Sequence, residues 1–142
     1  MASREIDPWD LDLLFPEEYL EREYHRMEEF ARWLRSAGIE VPGCWYVHRW
    51  SAYRLAALMH WHEQVYGGGQ LARDAAEWWS SSWGLQGLRD AWQQADLFKH
   101  GDRHYESGKE EPTPTLDEVI RRHAGENRIR ANGNGDDRPA PP

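Results

Sequence analysis

The sequence predicts an all-α fold, a compact bundle of about four helices with a tryptophan-rich core. Two observations support this class. Apolar residues recur at spacings of three and four in four successive stretches, and the stretches are joined by short connections, which favours antiparallel neighbouring helices. Nine of the 142 residues are Trp, and seven of these lie between Trp45 and Trp92. Indoles should therefore supply much of the core that Leu, Ile and Val usually supply.

Composition and charge limit the classes of function. The length fits one domain, and the mean hydropathy of −0.93 is low for a folded chain. The net charge is −8, and up to Glu29 the chain carries ten acidic residues against three arginines. This charge repels phosphate, so direct nucleic-acid binding is not expected and a protein partner with a basic surface is favoured.

The chain carries a single cysteine and no long apolar segment. Cys44 alone excludes an intramolecular disulfide and the usual four-thiolate zinc site. The first residues lack the pattern of a signal peptide, and no apolar run approaches the roughly 20 residues that cross a bilayer. We expect a cytoplasmic protein with no membrane partner.

Residues 1–15 are predicted to form an acidic-hydrophobic arm. Asp7, Asp10 and Asp12 alternate with large apolar side chains. Segments of this composition dock into grooves. The groove could belong to a partner or to the arm's own domain, and the pattern does not separate the two.

The first helix should begin at Pro16, because proline suits the first helical position. Its apolar stripe comprises Leu20, Tyr24, Met27, Ala31 and Leu34. The segment Ser36–Gly38 should end it. Residues 44–50 are ambiguous between helix and strand, since β-branched and aromatic residues favour a strand but the run is short.

Three further helices complete the predicted bundle. Ser51 can cap the second, whose stripe contains Leu55, Leu58, Met59, His62 and Val65, and glycines 67–69 should end it. The third and fourth are expected around residues 70–81 and 85–98. Apolar spacing makes Trp61, Trp78 and Trp92 structural residues of these helices.

The predicted helical domain covers residues 16–104, and residues 105–142 follow as a linker, a short helix and a disordered tail. Thr115 and Glu118 have the spacing of a capping box, which predicts a helix of about two turns. Residues 132–142 are mainly Gly, Asn, Asp and Pro, a composition typical of disorder.

The spacing of the tryptophans resembles that of a Trp-rich domain of unknown function encoded on actinobacterial phages, plasmids and integrated elements. The matching residues are Cys44-Trp45, Arg49-Trp50, Leu55-Ala56-Ala57-Leu58, Trp61, Glu63, Trp78-Trp79 and the helix around Trp92. The resemblance covers about residues 24–104. It implies a mobile-element origin and supplies no activity or catalytic residue.

Histidines raise the question of a metal site or an enzyme. His60 and His62 are two residues apart, so on a helix they point in different directions and cannot easily share an ion. We interpret His62 as a core histidine bound to a carboxylate or carbonyl, and His60 as a solvent residue. His62 with Glu63 lacks an accompanying nucleophile or phosphate loop. We predict no catalytic, metal-binding or cofactor-binding residue, and no enzymatic activity.

The leading functional prediction is a non-enzymatic protein-binding module of a phage or other mobile element. Two alternatives stay open: an acidic inhibitor of a basic, nucleic-acid-handling host protein, and a small structural component of a virion or transfer complex. A stacking surface for bases, built from Trp45, Arg49 and Trp50, is a weaker possibility. The predicted partner-binding residues are Trp9, Leu11, Leu13, Leu14, Trp50 and Trp83.

Overall fold

The computed structural model describes residues 19–67, 72–99, 103–106 and 109–136, and within them the predicted all-α class is confirmed. The helices are α1 Leu20–Ser36, α2 Arg49–Gly67, α3 Ala72–Ser80, α4 Leu85–Gln94 and α5 Leu116–Asp136, with a 3₁₀ turn at Leu97–Lys99. Two short strands, β1 Arg103–Glu106 and β2 Lys109–Pro112, form an antiparallel hairpin. None of the helices in these ranges is both long and apolar enough to cross a bilayer. The predicted arm, residues 1–15, lies outside the described residues.

Helix α1 buries the stripe predicted for it. Leu20, Tyr24, Met27, Ala31 and Leu34 are each at most 1% exposed. The helix ends as expected, because Gly38 adopts φ +85°, a conformation that few residues other than glycine tolerate. Residues 16–18, where the helix was predicted to begin, lie outside the described part of the chain.

Helix α2 begins at Arg49, two residues before the predicted cap, so the assignment of Ser51 as the cap is wrong. The amides of Ser51 and Ala52 both donate to the His48 carbonyl, at 3.0 and 3.1 Å. Ser51 is instead buried, and its Oγ accepts a hydrogen bond from Trp92 Nε1 at 2.7 Å. Residues 43–47 form consecutive turns, and Arg49 and Trp50 already belong to α2, so the ambiguous segment is not a strand.

Helix α2 is the centre of the bundle, since it contacts α1, α3 and α4. Trp78 and Trp92 are fully buried next to α2, as predicted. The indole N–H groups of both have acceptors on α2: Trp92 Nε1 donates to Ser51, and Trp78 Nε1 donates to the Leu58 carbonyl at 2.8 Å. Trp61 is only partly buried and packs against this core.

The C-terminal helix packs into the core, beyond residue 104, where the predicted helical domain ends. Val119 and Ile120 join the main hydrophobic cluster, and His123 is fully buried. A hydrogen bond of 2.9 Å joins His123 Nδ1 to the Tyr24 hydroxyl on α1. Burial is the main reason that the pKa of the Tyr24 hydroxyl is raised. These contacts tie α5 to the first helix of the bundle.

Helix α5 is also longer than predicted. The expected capping contact is present, because the Glu118 amide donates to Thr115 Oγ1 at 3.2 Å. The helix then continues for 21 residues, in place of about two turns, and includes residues 132–136, which were predicted to be disordered. Packing of its first turns against α1 supplies the nucleus from which a sequence of low helix propensity continues.

The hairpin occupies part of the predicted linker. Arg103 pairs with Pro112 and Glu106 with Lys109. The hairpin is local, so the class of the fold is unchanged. The sequence carried a signal for it, because Ser107 and Gly108 separate two four-residue runs, a spacing typical of a tight hairpin.

Candidate functional site

Two predicted partner-binding residues, Trp50 and Trp83, line one surface groove. The groove has a volume of about 420 Å³, and the other described residues of its lining are Tyr53, Arg54 and Ser82. Trp50 is 38% exposed and Trp83 is 66% exposed. This site is called the Trp50–Trp83 groove below. The other predicted partner-binding residues, Trp9, Leu11, Leu13 and Leu14, lie outside the described residues.

One wall of the groove is the first turns of α2. Trp50, Tyr53 and Arg54 have the spacing i, i+3 and i+4, so they share one face of the helix. Ser51 and Leu55, which alternate with them, are fully buried. The same two turns therefore present an aromatic surface on one side and core residues on the other.

The opposite wall is the connection between α3 and α4, which carries Trp83. The Ser81 carbonyl accepts hydrogen bonds from the amides of Gly84 and Gly87, at 3.1 and 3.3 Å. A Cβ at Gly84 would lie 2.1 Å from the Trp78 carbonyl oxygen, and one at Gly87 would lie 1.7 Å from the Ser82 carbonyl oxygen. Only glycine fits either place, so these residues fix the tight backbone that holds Trp83.

Arg54 joins the two walls. Its Nη2 donates to the Ser82 carbonyl at 3.1 Å, which connects α2 to the connection that carries Trp83. Burial lowers the pKa of Arg54 from its ordinary value. A smaller cavity of about 50 Å³ adjoins the groove, and it is lined by Arg54, Trp83, Ala57, Leu58, Trp61, Gly84 and Leu88. Trp83 therefore borders two cavities and is the most exposed indole of the described chain.

A second aromatic cluster surrounds His62 on another part of the surface. The His62 ring lies 4.5 Å from the Tyr66 ring, 4.7 Å from Trp33 and 4.8 Å from Trp78, measured between centroids. Burial lowers the pKa of His62. Aromatic rings thus take the place of the predicted carboxylate or carbonyl partner. Trp79 completes the cluster, and its Nε1 donates to the Tyr66 hydroxyl at 2.8 Å.

His60 is not the solvent residue that was predicted. Its Nε2 lies 3.0 Å from Glu23 Oε2, and Glu23 is buried. Arg26 Nη1 donates to the other carboxylate oxygen of Glu23 at 2.7 Å and also pairs with Glu63. The polar cluster links α1 to α2, which gives His60 a structural contact.

The predicted stacking surface of Trp45, Arg49 and Trp50 is not formed. Trp45 is buried in the core, and Arg49 pairs with Glu126 on α5 while donating to the Tyr53 hydroxyl at 3.4 Å. Only Trp50 of the three lines the groove. Within the described ranges, no group of three or more His, Cys, Asp or Glu residues is arranged to hold a metal ion.

Sequence reasoning missed Tyr53, Arg54 and Ser82 as groove residues. The helical spacing from Trp50 could have identified the first two. Ser82 contributes through its backbone carbonyl, which accepts a hydrogen bond from Arg54, and no sequence pattern predicts such a contact. Comparison of the chain with protein-family models, curated proteins and solved structures found no match.

Proposed function

We propose that this protein is a non-enzymatic protein-binding module, and that its Trp50–Trp83 groove receives a side chain of the partner. The observation that carries the proposal is the meeting of two exposed indoles from separate elements around one groove. Exposed aromatic side chains that cluster in a pocket are the preferred anchors of protein interfaces. Single exposed Trp residues would carry no such argument.

The dimensions of the groove favour a short segment of a partner over a flat interface. A volume of about 420 Å³ lies in the range of roughly 300–1,000 Å³ typical of ligand pockets. The space accommodates one or two large side chains. Binding energy would then be concentrated on a few residues, with Trp50 and Trp83 as the anchors on this chain.

The lining of the groove supports binding over catalysis. Among the described residues that form it, none is a His, Cys, Asp or Glu, so the hydroxyls of Ser82 and Tyr53 have no general base in the lining to activate them. Tyr53 and Arg54 instead provide polar edges that orient a ligand. From the resemblance of the Trp spacing, we further propose that the partner is encoded by a mobile element or by its host.

Truncation of the anchors tests this function. Affinity capture with the full chain, followed by mass spectrometry, supplies the partner, and isothermal titration calorimetry with that purified partner measures affinity. Trp50→Ala and Trp83→Ala should each weaken binding by about tenfold or more. Trp79→Ala is the matched control, because Trp79 is 37% exposed, as Trp50 is at 38%, but lies in the other aromatic cluster.

The control variant should bind within about threefold of the parent, and all three variants should keep the parent's circular dichroism spectrum. The proposal fails if the groove variants bind like the parent. It also fails if Trp79→Ala is the variant that loses the partner.

A further inference from the structure

Arg54 differs from the other partly buried arginines of α1 and α2. Arg26 pairs with Glu23 and Glu63, and Arg49 pairs with Glu126. Arg54 forms no salt bridge within the described part of the chain, and it donates instead to the neutral Ser82 carbonyl. A partly desolvated guanidinium without an opposing charge costs free energy, which an anionic ligand would recover.

The surroundings of Arg54 define what such a ligand must contain. Trp50, Tyr53 and Trp83 make the rest of the lining mainly apolar and aromatic. No carboxylate lies among the described residues of the groove, so nothing there competes for the guanidinium. Arg carries five N–H donors in a planar fork suited to a carboxylate, and one nitrogen is engaged by Ser82.

We propose that the Trp50–Trp83 groove binds an acidic–apolar peptide segment, with a large apolar side chain against the two indoles and a neighbouring carboxylate on Arg54. This inference rests on the proposed function and names the chemistry of the partner at that site. The burial that lowers the pKa of Arg54 agrees with it. A partner with a basic surface would contact the acidic N-terminal part of the chain and not this groove.

Two other ligand chemistries fit less well. Sets of aromatic rings bind quaternary ammonium groups, but Arg54 places a like charge in this groove. Trp and Arg together also bind single-stranded nucleic acid. A nucleic-acid strand carries one negative charge per nucleotide, so the net charge of −8 repels it more strongly than a peptide that needs a single carboxylate at Arg54. A peptide carboxylate beside an apolar side chain satisfies both the rings and the guanidinium.

The chain's own sequence supplies a suitable probe. Residues 5–15 read Glu-Ile-Asp-Pro-Trp-Asp-Leu-Asp-Leu-Leu-Phe, which alternates acidic and large apolar residues. The segment lies outside the described residues. Because it is tethered to the domain, its effective concentration near the groove would reach the millimolar range if the connecting chain spans the distance. The experiment therefore includes the possibility that this segment occupies the groove of its own chain.

The test titrates the full chain with a synthetic peptide of residues 5–15 and with a peptide in which the three Asp are replaced by Asn. Binding is followed by calorimetry and by the indole N–H resonances of Trp50 and Trp83. The Asn peptide should bind about tenfold more weakly or worse, because it cannot form the charge-assisted pair with Arg54. Arg54→Gln should weaken binding of the acidic peptide by the same factor of about ten, so that the acidic and Asn peptides bind this variant with equal affinity. Arg89→Gln, a partly buried arginine of α4 outside the groove lining, is the control and should change nothing.

The full-length variant Asp7→Asn/Asp10→Asn/Asp12→Asn tests whether residues 5–15 occupy the groove of their own chain. If the segment fills the groove of its own chain, the acidic peptide should bind this variant and not the parent, and the two indole resonances should move between the two proteins. That result supports the ligand chemistry inferred for the groove, but the occupant is then this chain's own segment and not a partner's, which counts against the proposed function. Absence of peptide binding to both proteins, with unmoved resonances, overturns the inference.

Three further outcomes also decide the question. Equal binding of the acidic and Asn peptides, still lost in Trp83→Ala, would refute the role of Arg54 and leave the proposed function intact. If a trimethyl-lysine peptide or an oligothymidylate binds more tightly than the acidic peptide, the inferred ligand is refuted and the groove binds a cationic or nucleic-acid ligand. If peptide binding is unaffected by Trp83→Ala, the groove is not the site and the proposed function fails with it.

Discussion

Replacement of Ile120 by Ala tests whether α5 is part of the folded core. Ile120 is 8% exposed and belongs to the main hydrophobic cluster. Truncation of a buried Ile to Ala typically lowers the free energy of unfolding by about 2–5 kcal/mol, through lost transfer energy and the cavity left behind. Because Ile120 keeps some exposure, we expect a loss in the lower half of that range, about 2–3 kcal/mol. A domain of this size is stable by roughly 5–15 kcal/mol, so the loss is easily measured.

The matched control is Ile129→Ala in the same helix. Ile129 is 72% exposed, and its replacement should change stability by no more than about 0.5 kcal/mol. Urea denaturation followed by circular dichroism at 222 nm gives both values, with equal m-values for parent and variants. If Ile120→Ala unfolds at the same urea concentration as Ile129→Ala and the parent, α5 does not pack on the bundle and the reasoning is refuted.

Three further predictions concern polar groups that are fully or partly buried. Ser51→Ala should lower the free energy of unfolding by about 1–3 kcal/mol, because it leaves the Trp92 indole N–H buried without its acceptor, whereas Ser80→Ala at an exposed position should be nearly neutral in the same urea titration. The Cys44 thiol is buried and its pKa is raised by burial to about 11, so at pH 8 it should react with a disulfide reagent at least about 100-fold more slowly in the native protein than in urea; equal rates would contradict its burial. The pKa of His62 is lowered below 6.5 by burial, so the unfolded chain binds the extra proton first as the pH falls below about 6.5. The stability that the neutral His62 supports is therefore fully present above about pH 6.5 and is lost as the pH falls below it. Thermal unfolding measured at pH 7.5 and at pH 5.5 should accordingly show a smaller change in melting temperature for His62→Gln than for the parent.

The apolar periodicity of the sequence predicted most of the bundle correctly. The stripe of α1 and the buried positions of Trp78 and Trp92 follow from spacings of three and four on amphipathic helices. The start of α2 was wrong, because Ser51 has a strong capping propensity but is used inside the core as an acceptor for Trp92. Tertiary contacts of this kind override local propensity, and the sequence shows only the propensity.

Prediction of the C-terminal region failed for a different reason. The burial of α5 depends on a hydrogen bond between Tyr24 and His123 and on packing of Val119 and Ile120, all of which are long-range contacts. Two apolar residues and a histidine are too few to mark a core helix by their pattern. The groove was predictable in part: Trp50 and Trp83 were singled out as aromatic residues, but their meeting depends on the turn fixed by Gly84 and Gly87.

The bond between Tyr24 and His123 has a consequence for synthesis of the chain on the ribosome. Its partners are 99 residues apart in sequence, and at a translation rate of about 5–20 residues per second the interval between them is roughly 5–20 s. During that interval the α1 surface that receives α5 has no native cover. The nascent chain should therefore hold an unfinished bundle until α5 emerges, and a stalled chain that ends before Val119 should be more sensitive to protease than the released protein.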